Sequence, residues 1–301
     1  MSNPAVSVLM SAYNRQAYLD DAIRSVVSQT FEDWELVLID NGSTDSTPVI
    51  LRDWAHKDSR IRVVVNPKNV GVPKVRNQGA RIASGRYVSF MDSDDLYRKD
   101  ALQRMVGELE QNLDYDVLIA EAALIDENGQ ITGETNSQRM RWKPKCPARV
   151  LFDDLIANSF VVCNLVRNEV LRKNGICHDE ELGFADDWMF WLDLSAVCNI
   201  RYLPESLYYY RIHRSNTSMS ELAKEIYAKD FTVIPEKVFW KHASILGSRQ
   251  KSEHLAWAAG FLDHSSLESA KMRAAFYRSI IADVRKPQRE RFSEWIRAHL
   301  Y

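Results

Sequence analysis

The sequence lacks any apolar run near the 18 or so residues a membrane span requires. Its start lacks the basic residues and long apolar stretch of a signal peptide, so none is expected. Cysteine is scarce. The four thiols, Cys146, Cys163, Cys177 and Cys198, form no C-x-x-C pair and no zinc spacing. They read as free thiols of a reducing compartment, which makes the expected location cytoplasmic. Glycine is scarce as well, and its eleven residues build neither a G-x-G-x-x-G after the first apolar run nor a G-x-x-x-x-G-K-[ST]. The dinucleotide fingerprint and the NTPase phosphate loop are both missing. A net charge of −2 provides no basic excess for nucleic acid as the main partner.

What is present is an ordinary globular composition, 46% hydrophobic and 27% charged, over 301 residues. That length allows one large domain plus an appendage. Val6 to Met10 reads as a first strand, followed by the polar loop Ser11-Ala12-Tyr13-Asn14-Arg15 and a helix from about Tyr18. Trp34 to Ile39 is a second strand. It leads into Asp40-Asn41-Gly42-Ser43-Thr44-Asp45, where Ser43 or Thr44 can cap the next helix. Ile61 to Val65 is a third strand, and Pro73 suits the first turn of a helix reaching Ala83. Tyr87 to Met91 is the fourth, with Gly85 able to end the helix before it. Strands alternating with helices over short connections give a parallel sheet covered on both faces.

The second half is more mixed. A helix is expected over Lys99 to Asn112, extended chain over Val117 to Ile125, and a turn at Glu127-Asn128-Gly129-Gln130. Arg139 to Arg149 reads as a loop, and Phe160 to Arg167 as a strand leading to a short helix from Asn168. An aromatic, amphipathic helix follows Asp186-Asp187 over Trp188 to Val197. Two extended segments, Ile200 to Leu203 and Leu207 to Ile212, precede His213.

The polar stretch Asp92-Ser93-Asp94-Asp95 stands at the C-terminal edge of the fourth strand, where open α/β sheets bind ligands. If strand geometry continues one step, Asp92 and Asp94 point the same way. Such a pair needs a positive partner, and a divalent cation carrying a diphosphate is one. Alone, the D-x-D reads equally as an acidic turn in which Asp94 or Asp95 caps the next helix.

Six blocks taken together carry more. They are V-S-V-L-M-S-A-Y-N-R (6–15), S-Q-T-F-E-D-W-E-L-V-L-I-D-N-G-S-T-D (28–45), N-V-G-V-P-K-V-R-N-Q-G (69–79), G-R-Y-V-S-F-M-D-S-D-D (85–95), G-F-A-D-D-W-M-F-W-L (183–192) and L-Y-Y-Y-R-I-H (207–213). In this order and spacing, roughly from Pro4 to Ser220, the chain resembles the family 2 glycosyltransferases, inverting enzymes of the GT-A fold. The resemblance implies a Rossmann-like, mostly parallel central sheet covered by helices. Residues 1–220 would form the transferase domain and 221–301 a C-terminal helical region.

It also implies roles. Ser11, Ala12 and Tyr13 match the loop that holds the nucleotide base, with Tyr13 placed to stack on it. Asp40-Asn41 matches a pair whose second member reads uracil. The family often has Asp there, and the Asn41 amide oxygen can still accept the N3–H bond. Asp40 reads as well as a structural carboxylate. Arg76 matches an arginine near the base and diphosphate, and Asn77 holds its helix against the acidic loop. Asp92 and Ser93 fall to the nucleotide sugar, and Asp94 to a Mn²⁺ or Mg²⁺ ion whose shell His213 completes. Asp187 matches the catalytic base, with Asp186 in reserve. Arg211 and Arg214 read equally as phosphate neutralisers and as solvated charges.

The implied partners are a nucleotide-sugar donor, with UDP expected, and a glycan, lipid-linked or small-molecule acceptor. The implied setting is surface polysaccharide synthesis. Residues 271–301 hold eight Lys/Arg against three Asp/Glu. They read as a solvated basic helix face or as a docking surface for the inner face of an anionic membrane. Two other enzyme classes are weighed against the transferase. A sugar-phosphate nucleotidyltransferase needs a Gly-rich loop after the first strand, and a dehalogenase-like phosphatase needs its D-x-D there too. An inactive GT-A-like binding subunit is a third reading, against which stand the intact Asp92, Asp94 and Asp187.

Overall fold

The computed structural model describes residues 3–140, 149–150 and 161–216, with single positions at 155, 226, 230, 233, 234, 237 and 241. The loop expected over Arg139 to Arg149, and the helices expected over 221–301 with their basic stretch, lie almost wholly outside the described residues. The chain divides into two compact units, Met1–Ala223 and Lys224–Tyr301. The following concerns the first.

Four parallel strands form its opening half: β1 (Val6–Ala12), β2 (Trp34–Asp40), β3 (Ile61–Val65) and β4 (Tyr87–Asp92). They stand in the order β3-β2-β1-β4. Helices α1 (Leu19–Val27), α2 (Thr47–Lys57) and α3 (Val72–Ile82) make the connections. Every residue of β2 is buried, and β1 is buried but for one position. These near-continuous apolar runs are what a strand covered on both faces needs. Alternation assigns the faces. Val6, Val8, Met10, Leu36 and Leu38 pack in one cluster with Leu19, Ile23 and Val26 of α1 and Leu51 of α2. On the other face, Leu9 and Ile39 lie against Gly79 of α3, where a β-carbon would come within 3.3 Å of Ile39.

The second half mixes directions, with β6 and β10 parallel to each other. It comprises β5 (Leu96–Tyr97), α4 (Ala101–Gln111), β6 (Val117–Ile125), β7 (Ile131–Thr135), α5 (Asn136–Arg139), β8 (Arg149–Val150), β9 (Cys163–Arg167), α6 (Asn168–Asn174), α7 (Asp186–Val197) and β10 (Ile200–Arg211). The sheet continues β4-β9-β6-β10-β5, with β7 on β6 and β8 on β10. β9 runs antiparallel to both β4 and β6, so the sheet is mixed rather than parallel throughout.

Several expectations need correction. The segments around 200 and 212 form a single strand, β10, with irregularities between Leu203, Ser206 and Tyr208. Neither Asp94 nor Asp95 caps α4, because β5 intervenes and Asp100 precedes the helix. Neither Ser43 nor Thr44 caps α2. Its first N–H groups lie beyond them, and Asp45 accepts from the Thr47 N–H at 2.9 Å. Helix α7 begins two residues early and is not amphipathic: Trp188, Met189, Phe190, Trp191, Leu192 and Leu194 are all buried. Gly85 does not end α3, which stops at Ile82. It permits a close approach, since a β-carbon there would sit 2.5 Å from the Ser7 nitrogen.

Candidate active site

Parallel register brings three strand ends into one row. Ala12 pairs with Asp40 across β1–β2, and Ser11 pairs with Asp92 across β1–β4. The loop after β1 is knitted to the loop after β2. The Asn14 and Arg15 N–H groups donate to Ser43 Oγ (2.9 Å) and Thr47 Oγ1 (2.8 Å), and the Thr44 N–H donates to Asn14 Oδ1 at 2.8 Å. Asn14 takes the left-handed conformation at φ 53°, which asparagine tolerates better than most residues. Tyr13, just before it, is 41% exposed, so its ring has a free face.

Asp40 is buried and accepts the Ser43 N–H at 3.0 Å, so it serves as a structural carboxylate in this turn. Asn41 is also buried. Its backbone N–H donates to the Ala12 carbonyl (2.8 Å), its Nδ2 to Asn69 Oδ1 (3.0 Å), and its Oδ1 accepts the Val70 N–H (3.0 Å). These bonds bring the 66–71 turn beside the loop after β2, and they leave one amide hydrogen and one lone pair of Asn41 uncommitted.

Strand β4 ends at Asp92, and the chain turns at once, so period-two alternation does not carry on to Asp94. The two carboxylates face different partners. Asp92, with its side chain 48% exposed, lies 3.5 Å from Arg76 Nη2. Partial burial and the neighbouring Asp94 charge raise its carboxyl pKa, against the pull of Arg76. Asp94 Oδ2 meets Arg15 Nε at 3.3 Å and His213 Nε2 at 3.1 Å. The His213 ring is itself fixed by Ser215 Oγ on Nδ1 (2.8 Å) and by the Tyr18 ring, 4.4 Å between centroids. Ser93 is buried beneath them. Asp95 is buried too. Its Oδ1 accepts the Arg211 N–H at 2.8 Å, its Oδ2 has no hydrogen-bond partner, and burial with the Asp94 and Asp92 charges raises its carboxyl pKa well above the usual range.

The donor chemistry here suits a divalent cation. One carboxylate and one imidazole converge, and among the described residues no group of three or more His, Cys, Asp or Glu forms a cage. A hard cation that shares its shell with a diphosphate needs few protein ligands of this kind. Asp94 and His213 would hold it.

The third cluster joins α3 to α7. Arg76 Nη1 lies 3.1 Å from Asp186 Oδ2, and this carboxylate with Asp92 and Asp187 raises the guanidinium pKa despite burial. His178 Nδ1 lies 2.7 Å from the same Asp186 oxygen, although neither ring nitrogen is in hydrogen-bonding alignment with a partner. The neighbouring α3 residue, Asn77, grips the loop before α7. Its Nδ2 donates to the His178 carbonyl (2.9 Å) and to Glu180 (3.0 Å), and its Oδ1 accepts the His178 N–H (2.8 Å). Adjacent carboxylates are thus shifted in opposite directions. Burial opposes the ionised form of Asp186, but Arg76 and His178 outweigh it and lower its pKa. Asp187 is pushed up to about 7 by burial and by the Asp186 charge.

This geometry places two interlocked polar loops, an acidic turn and a raised carboxylate at one sheet edge. The sequence model of glycosyl transferase family 2 matches residues 7–173, more than half of the chain. The chain belongs to that family. An uncharacterized glycosyltransferase of Haemophilus influenzae is 28% identical over 249 residues, covering 78% of this chain and 76% of the relative. A putative teichuronic acid biosynthesis glycosyltransferase of Bacillus subtilis is 28% identical over 72% of this chain and 83% of its own length. Among solved structures, Staphylococcus aureus TarS in complex with UDP-GlcNAc matches with a TM-score of 0.70 at 21% identity. That match covers 94% of this chain and 81% of the solved TarS chain, which spans its residues 1–349, so the fold is of the TarS kind.

In this glycosyltransferase the positions singled out from sequence fall into the three clusters above: Ser11, Ala12, Tyr13, Asp40 and Asn41 in one, Asp92, Ser93, Asp94 and His213 in the second, and Arg76, Asp186 and Asp187 in the third. Arg211 fits neither expectation made for it. It is buried, with Nε donating to the Asp94 carbonyl (2.8 Å) and Nη1 to the Glu127 carbonyl (3.1 Å), so it braces the acidic turn. Arg214 is exposed, in keeping with a solvated charge. Arg15 and His178 were not singled out for their contacts with Asp94 and Asp186. Their partners lie far away in sequence, and no local pattern announces them.

Proposed function

We propose that this chain transfers a sugar from a UDP-sugar to an acceptor hydroxyl, inverting the anomeric centre, with Asp187 as general base. The observation that carries this reading is the contrast between two neighbouring carboxylates, Asp186 held ionised and Asp187 raised to about 7. Titratable groups whose environments push their pKa values apart mark acid–base work. A carboxylate with a pKa near the working pH accepts a hydroxyl proton with more driving force than an ordinary aspartate. Asp187 stands at the first turn of α7, beside the Asp92 charge, within reach of the strand-end row where a donor sugar would lie.

The remaining residues divide the donor between them. Tyr13 offers an exposed ring face to the base. Asn41 keeps one acceptor and one donor position for the uracil edge, and the half-exposed Asp92 carboxylate can accept from ribose hydroxyls. Bound at Asp94 and His213, Mn²⁺ or Mg²⁺ would stabilise charge on the departing diphosphate. The acceptor class is a glycan, a lipid-linked sugar or a small molecule. The teichuronic acid relative supports surface polysaccharide synthesis as the setting. The cytoplasm is the proposed location, with the basic 271–301 stretch as the segment that would meet an anionic membrane.

Asp187→Asn keeps the shape of the side chain but cannot take the proton. We expect kcat to fall about 10²-fold or more, with donor affinity little changed. Proton NMR of the product should show inverted anomeric configuration. Retention, or near-normal turnover in Asp187→Asn alongside a loss in Asp186→Asn, would overturn the assignment.

A further inference from the structure

His178 lies on no element that the reaction uses directly, yet it is only 3% exposed and points at the carboxylate next to the proposed base. Its backbone is clamped on both sides by Asn77, the neighbour of Arg76 on α3. Its ring stacks on Phe190 of α7, 4.2 Å between centroids and 4° between planes, and meets the edge of Phe90 of β4 at 5.1 Å. Loop, α3, β4 and α7 thus fix one imidazole from four directions. A ring held this firmly against one carboxylate oxygen has little freedom to do anything else.

We infer that His178 is a positioning residue, which holds Asp186 as a fixed anion beside Arg76 and so sets the proton affinity of Asp187. The inference rests on Asp187 being the base. The apolar walls of Phe90 and Phe190 favour the neutral imidazole, and burial lowers the His178 pKa accordingly. A neutral ring can support the Asp186 charge only with its proton on Nδ1, because a lone pair 2.7 Å from a carboxylate oxygen would repel it. Two groups then stabilise the same oxygen, Arg76 at 3.1 Å and His178. The charged or titratable groups facing Asp187 are Asp186 on its own helix, Arg76 on α3 and Asp92 on β4. Those facing Asp186 are Arg76 and His178, and those facing His178 are Asp186 and Arg76. Arg76 faces both His178 and Asp187, but Asp186 is the neighbour of the base that His178 touches. Without the imidazole donor Asp186 gains proton affinity and competes with Asp187 for the proton the pair shares, so Asp187 is ionised further toward low pH.

His178→Phe retains an aromatic ring for the stack and deletes the polar support; His178→Asn returns a donor amide. The pH dependence of kcat/KM for the parent should show an acid limb. In His178→Phe that limb should move down by about half a pH unit or more, with kcat lowered several-fold and donor KM unchanged, and His178→Asn should move it back toward the parent. Lower thermal stability in His178→Phe with an unmoved limb would make the residue merely structural and overturn the inference. Should His178→Phe not fold, nitrogen-15 NMR of the parent imidazole decides. A neutral ring protonated on Nδ1 between pH 6 and 8, as about the range that matters for a group near neutrality, upholds the inference. An imidazolium or an Nε2-protonated ring overturns it. Near-normal turnover in Asp187→Asn would sink the base assignment itself, whereas an inactive Asp187→Asn with an unmoved His178→Phe limb would sink only the role of His178.

Discussion

Asp94 shows how a residue that looks generic in sequence gains a particular use from its surroundings. Two nitrogen-bearing side chains, Arg15 and His213, meet one of its carboxylate oxygens, so its charge is already balanced before any ligand arrives. In the proposed reaction, a cation entering with a diphosphate would compete with Arg15 for that oxygen. It gains most when the nucleotide supplies further ligands. Asp94→Asn should therefore abolish the enhancement of UDP affinity by Mn²⁺ in calorimetry, while metal-free UDP binding changes little. Equal metal dependence in variant and parent would remove Asp94 from the cation site. The carboxylates and His213 were legible in the sequence because each sits in a block whose order matches the family. Arg15 and His178 were not, because ion pairs that close across the whole domain follow no local period.

At the scale of elements, β1 to β4 were legible because each is a short apolar run between polar loops. The mixed half was harder. Two-residue strands such as β5 and β8 exist only by pairing with β10, and nothing in Leu96-Tyr97 announces that. Pro204-Glu205 split β10 in the sequence reading, although irregular pairing carries the strand across them. Helix α7 was misread because burial on every side leaves no polar stripe. Gly85 tests how tightly the halves meet. Gly85→Ala would push a β-carbon to 2.5 Å from β1 backbone and should cost about 1–3 kcal/mol in urea unfolding. Gly107→Ala, inside α4 with open space around it, should stabilise by about 0.5–1 kcal/mol. Equal and same-signed shifts would show that the close approach at Ser7 is unimportant.

Across the whole molecule, the raised carboxylate opposes stability. Asp187 has its folded pKa raised from 3.8 to about 7, so its contribution is full in acid and is lost as pH rises through neutrality. Glu35, Asp45 and Asp58 act in the opposite sense. Hydrogen bonds to Ser7, Ser84 and Arg62 lower Glu35 against its burial, Thr47 and Gln16 do the same for Asp45, and Arg60 lowers Asp58. Their contributions are present above the usual carboxylate range and are lost as pH falls through the lowered values. Asp187→Asn should therefore raise the stability of the fold at pH 8 by roughly 1–3 kcal/mol and leave it unchanged near pH 3. A stabilisation of the same size at both pH values would mean that the gain is packing rather than charge. The strand pairings also impose an order in time. β10 pairs with β5 immediately after the acidic turn, and the segment from Arg211 to His213 supplies both the brace on Asp95 and the partner of Asp94. As a ribosome releases the chain, the four parallel strands emerge long before those residues. Until they follow, the acidic turn is an unbalanced cluster of carboxylates on an unfinished sheet edge. A nascent chain can therefore assemble its strand-end loops early, but the Asp94–His213 pair is completed only once residue 213 has been made.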